Sequence, residues 1–255
     1  MVMKIDLNCD MGESFGVYTL GQDELILPYI TSANIACGFH AGDPQVMART
    51  VHLAAKAGVS IGAHVSYPDL VGFGRRDMNL SVNELESAVL YQLGALAAFT
   101  KSEGVELIHV KPHGALYNRA AVDEQYAAAI ARAVSRFSRS LILVGLAGSK
   151  LVEIGRSQGL VTVNEGFPDR AYLPNGQLMP RNQDGAVLSD PQMVSDNALA
   201  LALHGIEARI NEKVDHITID TLCLHGDNHS AVENARQVRQ KLLDNGFSLA
   251  SLVKN

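Results

Sequence analysis

The sequence predicts an α/β fold in which about seven parallel strands form a closed or nearly closed barrel. Seven short apolar runs alternate with helical patterns in βαβα order, and the composition shows no break along the chain. A length of 255 residues is typical of one β/α barrel, so we expect a single domain over residues 1–255. An open, doubly wound sheet would produce the same alternation, and the pattern alone leaves closure undecided.

Each predicted strand is a run rich in Ile, Val, Leu or Cys. The runs cover residues 3–9, 32–38, 59–65, 106–111, 140–145, 160–164 and 215–222. Helix-start signals lie between them, such as Asp43 before Pro44 and the capping-box pair Ser81 and Glu84. We expect the main helices at residues 44–57, 82–104, 191–210 and 229–245.

One irregular insertion interrupts the alternation, at residues 170–189. It contains two glycine turn signals, Asn175-Gly176 and Asp184-Gly185. A segment of this kind is expected to form a hairpin or a lid over a site.

Composition and charge narrow the class of function. The formal net charge is -6, and no basic cluster extends beyond Arg75-Arg76, which argues against a nucleic-acid or anionic-membrane surface. No apolar run reaches the ~18 residues of a membrane span, and the first residues lack a signal-peptide pattern, so a cytoplasmic protein is expected. The 3 cysteines form no CxxC pair and are expected to be reduced thiols. A small-molecule substrate or a protein partner is the expected ligand.

Polar residues recur at every second position where the predicted strands end. Side chains two apart share a face of a strand, and the carboxyl ends of parallel strands meet on one side of a barrel. The polar faces therefore converge on one site. They comprise Asp6, Asn8 and Asp10 on the first run, Asn34 and His40 on the second, His64 on the third, and His109, Lys111 and His113 on the fourth.

Asp10, His40 and His64 are the candidate metal ligands. A carboxylate with two imidazoles can hold a divalent ion that activates water. The spacing matches no local metal motif. The same residues could equally form a metal-free site for hydrogen bonding and proton transfer.

Basic residues near the same strand ends are candidates for binding negative charge. Lys111 could lie near a developing oxyanion or a phosphate, or it could neutralise carboxylates at the barrel mouth. Arg75 and Arg76 could hold a carboxylate, or they could be a solvated pair.

The last two strand ends add further candidates. Glu165, Asp169 and Arg170 could activate water or fix an amide nitrogen, although the last two could instead form a surface ion pair. His225 is expected to be functional, whereas Asp227 could serve only as a helix cap. Asn8, Asp169 and Asp227 are grouped with the arginines as candidate substrate-binding residues.

Six ordered motifs closely resemble one known family. They are IDLNCDMGESFG, SANIACGFHAGDP, GAHVSYPDLVGFGRR, HVKPHGALYN, NEGFPDRAY and CLHGDN. Together they resemble the LamB/YcsF family, whose members are described as the A subunit of the bacterial ATP-dependent 5-oxoprolinase, over residues 4–250.

The resemblance implies a distorted TIM-like barrel akin to glycoside hydrolases and deacetylases. It implies hydrolysis of 5-oxoproline with ATP, which Mg²⁺ would accompany, in a complex with the B and C subunits of the enzyme. For that reaction, our hypothesis is that Arg75, Arg76 or Arg170 holds the substrate carboxylate and that Lys111 offsets oxyanion or phosphate charge. Proton transfer would fall to His113, Glu165 or His225.

Two other functions stay open at the level of sequence. One is a stand-alone metal-dependent deacetylase or amidohydrolase acting on a sugar or amide. The other is a non-catalytic subunit that only binds the substrate. The sequence also leaves open whether the chain forms a homo-oligomer.

Overall fold

A closed barrel of seven parallel strands forms the centre of the molecule in the computed structural model, which describes residues 3–210, 213–224 and 230–253. The strands follow one another around the barrel, and the last pairs with the first. The sheet therefore closes into a barrel, a point that the sequence pattern did not decide. The barrel strands are β1 (Met3–Met11), β2 (Ser32–Ala36), β3 (Ser60–Val65), β4 (Leu107–Pro112), β5 (Ile142–Leu146), β6 (Val161–Gly166) and β9 (Thr221–Leu224).

Helices surround the barrel and connect its strands. They are α1 (Asp23–Ile26), α2 (Pro44–Ala57), α3 (Val82–Ser102), α4 (Gly114–Ala120), α5 (Glu124–Phe137), α6 (Lys150–Ser157), α7 (Pro191–His204) and α8 (Ala231–Asp244), with a 3-10 turn at Leu27–Tyr29. The predicted starts of α2 and α3 are confirmed, because Asp43 and Ser81 accept hydrogen bonds from first-turn backbone N–H groups.

Two predicted boundaries near residue 210 are wrong. Helix α7 ends at His204, because Gly205 turns the chain with a positive φ of 68°. A Cβ at this position would lie 2.1 Å from the carbonyl oxygen of Ile217. The chain continues instead into an antiparallel hairpin of β7 (Ile206–Ile210) and β8 (Lys213–Ile217), so the run at 215–222 is divided between this hairpin and β9.

The two faces of the strands have the polarity that alternation predicts. On β1, Leu7 and Cys9 pack in the main apolar core, whereas Asp6 and Asn8 point into the barrel and are almost fully buried. A short strand, β10 (Phe247–Leu249), pairs with the start of β1. Beyond it, Leu252 packs against Ile142 and Val144 and covers the amino-terminal end of the barrel. The polar interior is thus accessible from the opposite end.

The cysteines are unpaired thiols, as the sequence predicts. Cys9, Cys37 and Cys223 are all buried and form no disulfide. Among the described residues, no helix combines the length and the apolar character that crossing a membrane requires.

Candidate functional site

A cavity of about 530 Å³ opens at the carboxyl-terminal end of the barrel. Its floor is formed by the ends of β1, β3 and β4, which supply Asp10, His64 and Lys111. Helix α4 and residues 177–181 of the insertion form the walls. The insertion folds back on itself through the antiparallel bridges Arg170↔Val187 and Tyr172↔Leu178. Chain segments far apart in sequence therefore enclose one space.

Lys111 is the central charged group of the cavity floor. Its Nζ lies 3.0 Å from Asp10 Oδ1 and 2.8 Å from Glu165 Oε1, and its side chain is 2% exposed. Burial alone would lower the pKa of Lys111, but the neighbouring negative charges, led by Asp10, outweigh burial and raise this pKa well above its usual value. Lys111 is therefore a fixed positive charge in a site from which water is largely excluded.

Glu165 is held by a second contact on its other oxygen. The hydroxyl of Tyr117 donates to Glu165 Oε2 over 2.7 Å. Burial, followed by the charge of Glu165, raises the pKa of Tyr117 well above its usual value, so this hydroxyl keeps its proton. Tyr117 begins the second turn of α4, and its position there aims the hydroxyl into the barrel.

Three histidines and a carboxylate lie next to Asp10. Ligand atoms of Glu13, His40, His64 and His113 all lie within 4.8 Å of one another. His40 Nε2 is 3.2 Å from Glu13 Oε1, and the rings of His40 and His113 stack with centroids 3.8 Å apart. The structure thus brings together a donor set of one carboxylate and three imidazoles.

The hydrogen bonds of two of these rings determine where their lone pairs point. His64 Nδ1 lies 3.0 Å from the carbonyl oxygen of Lys111, and His113 Nε2 lies 2.9 Å from that of Phe73. A carbonyl oxygen only accepts, so we assign the ring protons to these two nitrogens. If both rings are neutral, His64 Nε2 and His113 Nδ1 each carry a lone pair and no proton, and these two nitrogens lie 2.9 Å apart. Such a pair requires a shared proton or a cation between the two nitrogens.

Electrostatics favour a cation at this point. Burial, followed by the neighbouring histidines, lowers the pKa values of His40 and His113 well below the usual range, so neither ring readily takes a proton. His40 Nδ1 is buried with no hydrogen-bond partner among the described residues. Carboxylates and neutral imidazoles that converge on one point are a donor set that suits a divalent transition metal.

The loop after β3 separates the two neighbouring arginines. Arg76 pairs with the buried carboxylate of Asp69, which also accepts from the backbone N–H of Gly72 over 2.9 Å. Phe73 takes up the left-handed backbone conformation, with φ of 53°, and its carbonyl group faces His113. Arg75 lines the cavity. Of the predicted pair, one arginine therefore fixes the loop and the other faces the space where a ligand would bind.

Two further arginines line the cavity from the insertion. Arg170 is 6% exposed, and its guanidinium donates to the carbonyl oxygens of Ala186 (3.1 Å) and Met179 (2.5 Å). Arg181 lies near enough to lower the pKa of Arg170, after the larger effect of burial. Together with Arg75, they give the cavity wall an excess of positive charge that suits a carboxylate or a phosphate.

The structure assembles most of the predicted site residues. A continuous set of contacts joins Asp10, His40, His64, Lys111, His113 and Glu165. Asn8 lies beneath the cavity, 3.4 Å from Lys111 Nζ, and is not part of the lining. Arg76 and the buried Asp169 also lie outside the lining. His225 and Asp227 lie outside the described residues.

Three residues of the site were not predicted from the sequence, namely Glu13, Tyr117 and Arg181, and the donor group that the structure brings together differs from the predicted metal set. Glu13 and His113 join His40 and His64, whereas Asp10 pairs with Lys111 and lies 3.2 Å from His64 Nε2. Glu13 follows a turn at Gly12, where φ is 68° and strand parity no longer applies. Tyr117 and Arg181 have no strand-end signal. Only the helical offset of Tyr117 from His113 could have indicated it.

Comparison with known proteins agrees with the resemblance of the motifs. The model of the LamB/YcsF family matches residues 5–255. A curated protein of Symbiobacterium thermophilum, named as the A subunit of 5-oxoprolinase, is 53% identical over 251 residues, which are 98% of this chain and 96% of that protein.

Solved structures agree on the fold. A crystal structure of a lactam utilization protein from Thermus thermophilus has a TM-score of 0.90 and 47% identity, and the match covers 98% of this chain and 100% of that one. A structure described as T48 deacetylase with substrate is 16% identical with a TM-score of 0.51, which shows likeness of fold alone. The extent of the family match and the identity to its members establish that this chain belongs to the LamB/YcsF family.

Proposed function

We propose that this chain is the A subunit of a 5-oxoprolinase, which opens the ring of 5-oxo-L-proline to give L-glutamate. The observation that carries the proposal is the buried ammonium group of Lys111 between Asp10 and Glu165, on the floor of a cavity whose wall contains three arginines. The name of the relative that is 53% identical to this chain supports the same substrate.

The cavity has features that match both ends of this substrate. Its carboxylate would be held by Arg75 with Arg181, because a guanidinium group can donate two parallel hydrogen bonds to a carboxylate. The apolar side of the cavity includes Leu146 and Phe167, against which the ring methylenes could pack. The lactam carbonyl would then face Lys111. We also propose that residues 170–189 act as a lid, since residues 177–181 line the cavity.

The chemistry requires activation of an unreactive amide. We propose that ATP, bound with Mg²⁺ and acting through the B and C subunits, transfers its terminal phosphoryl group to the amide oxygen and leaves as ADP. Water then adds to the carbonyl carbon, the ring C–N bond breaks and the nitrogen takes a proton, which leaves the new carboxyl group as an acyl phosphate. A second water hydrolyses this acyl phosphate to the carboxylate of glutamate and free phosphate. Lys111 would stabilise the negative charge on oxygen, and Glu165 would move the protons. The requirement for ATP is consistent with a cytoplasmic enzyme.

We further propose that Glu13, His40, His64 and His113 hold one divalent metal ion. The fit rests on the two lone pairs that face each other at 2.9 Å, since ligand nitrogens about 2.0 to 2.1 Å from one ion approach each other this closely. A bound ion of this kind polarises a carbonyl group or lowers the pKa of water. Added zinc is expected to raise the Tm of the chelator-treated chain, and to leave that of a His64→Ala variant unchanged.

The histidine cluster also favours a second candidate function, metal-dependent amide hydrolysis without ATP. The likeness to a deacetylase is one of fold only and does not decide the reaction. The two candidates differ in a simple requirement, because only the oxoprolinase needs ATP and partner subunits.

Release of glutamate from 5-oxoproline tests the proposed function. The assay compares this chain alone, the B and C subunits alone, and all three together, each with and without ATP and Mg²⁺. Turnover only in the complete mixture with ATP is expected. Turnover by this chain alone with a divalent metal and no ATP would favour the second candidate. Turnover that is unaffected by Lys111→Met would indicate a subunit that only binds substrate.

A further inference from the structure

A directed hydrogen-bond network lies inside the barrel, directly beneath the cavity. Asn34 Nδ2 lies 2.7 Å from Asn8 Oδ1 and 2.9 Å from Asp10 Oδ1. An ionised carboxylate only accepts, so the amide group of Asn34 must turn its NH₂ towards Asp10. Its Oδ1 is then left to accept from another donor. That donor is His109, whose Nε2 lies 2.7 Å away.

His109 fixes the orientation of Asn34. Since Asn34 turns its Oδ1 towards His109, the ring must carry its proton on Nε2. In a neutral ring, Nδ1 then has no proton. Nδ1 has no hydrogen-bond partner among the described residues, in agreement with this assignment. The barrel also provides room for the ring, because a Cβ on Gly62 of β3 would lie 2.0 Å from His109 Nε2. Both Asn34 and His109 are completely buried.

This network acts on one oxygen of Asp10. Oδ1 accepts from Asn34 at 2.9 Å and from Lys111 Nζ at 3.0 Å, which occupies both of its lone pairs. Oδ2 instead lies 3.2 Å from His64 Nε2, and both Asp10 and His64 line the cavity. The two oxygens of one carboxylate are thus in different environments.

We propose that Asn34 is a positioning residue, held by His109, that fixes Asp10 with its Oδ1 on Lys111 and its Oδ2 directed towards His64. Asn34 contributes no charge and does not line the cavity. It acts through Asp10, whose rotation about its terminal bond it prevents. The proposal rests on the proposed function, because it assigns Asp10 a part in the reaction of that cavity.

Kinetics of the assembled complex test this role. Asn34→Leu is expected to lower kcat roughly 10- to 100-fold and to change KM by less than about 3-fold, as is typical when the residue that orients a reacting group is removed. His109→Leu should have the same effect. His109→Gln should keep kcat within about 3-fold of wild type, because the amide N–H can still donate to Asn34 Oδ1. Combining Asn34→Leu with His109→Leu should add little to either change.

Ser32→Ala is the matched control. Ser32 is on the same face of β2, two residues before Asn34, and its buried hydroxyl donates over 2.6 Å to a different carboxylate, Asp6. We expect this variant to lose stability but to keep its kcat. Equal losses of kcat in Ser32→Ala and Asn34→Leu would overturn the proposal, as would wild-type kcat in Asn34→Leu.

A measurement on the isolated chain separates this inference from the proposed function. The ¹⁵N chemical shifts of His109 report which ring nitrogen carries the proton. A proton on Nε2 supports the network, and a proton on Nδ1 overturns it. Absence of glutamate release from the wild-type mixture would instead contradict the proposed function, and the tautomer of His109 would still decide whether the network exists.

Discussion

Replacing His109 by glutamine should remove a specific pH dependence of stability. The ring is fully buried, and burial, followed by the charge of Lys111, lowers the pKa of His109 from 6.5 to about 3. Folded His109 therefore stays neutral down to about pH 3, whereas the unfolded chain binds a proton below about pH 6.5. The contribution of neutral His109 to the free energy of unfolding is fully present above pH 6.5 and is lost progressively as the pH falls towards 3.

The size of the effect follows from this pKa difference. At about pH 5, which is about 1.5 units below the unfolded pKa, a value of about 1.36 kcal/mol per unit gives a loss of about 2 kcal/mol. Glutamine keeps an N–H donor for Asn34 but has no group that titrates in this range. The titratable groups that act on His109, namely Lys111, His64 and Asp10, are the same in both proteins.

Urea unfolding of the two proteins at about pH 7.5 and about pH 5 measures the effect. Wild type should lose about 2 kcal/mol more unfolding free energy between these two conditions than His109→Gln does. Because all other titratable groups are the same in both proteins, the difference isolates His109. Equal losses would refute the reasoning, since they would mean that His109 binds its proton equally well in the folded and the unfolded chain.

Three further predictions concern the cavity. Lys111→Met leaves the buried carboxylate of Glu165 and the partly buried one of Asp10 without their shared cation, so turnover should fall below detection and urea unfolding should show a loss of about 3 to 5 kcal/mol; normal turnover would contradict the proposed role. Arg75→Ala should raise the KM for 5-oxoproline at least about 10-fold. Steady-state kinetics should show a smaller change for Arg76→Ala, and the reverse order would contradict the assignment. Tyr117→Phe should lower kcat roughly 10-fold because Glu165 loses a charge-assisted hydrogen bond; an unchanged kcat would contradict that contact's importance.

The alternation of side chains along the strands predicts many of the residues of the site. Side chains on one face of a strand are determined by local geometry, and parallel strands end on the same side of the barrel. Asp10, His64 and Lys111 could therefore be placed together from the sequence, and the structure has them in direct contact. The helix starts at Asp43 and Ser81 were predictable for a similar reason, because a cap depends on hydrogen bonds within a few residues.

Loops have no such periodicity, so the sequence did not predict which of their side chains reach the cavity. Arg75 and Arg76 are chemically equivalent neighbours, and only the tertiary structure shows that Arg76 pairs with Asp69 whereas Arg75 lines the cavity. Glu13 follows a glycine turn that interrupts the alternation of β1. The end of α7 at His204 depends on contact between Gly205 and Ile217, which belongs to the hairpin that follows.

The sequence by itself determined the class of fold, the starts of α2, α3 and α7 and the polar faces of the first four strands, because these depend on interactions between residues near one another in the chain. The tertiary structure alone decided that the barrel closes and which donors make up the histidine cluster. It also placed one oxygen of Asp10 against Asn34 and Lys111 and the other next to His64. Those features depend on distances between atoms of different strands and loops, which no local pattern specifies.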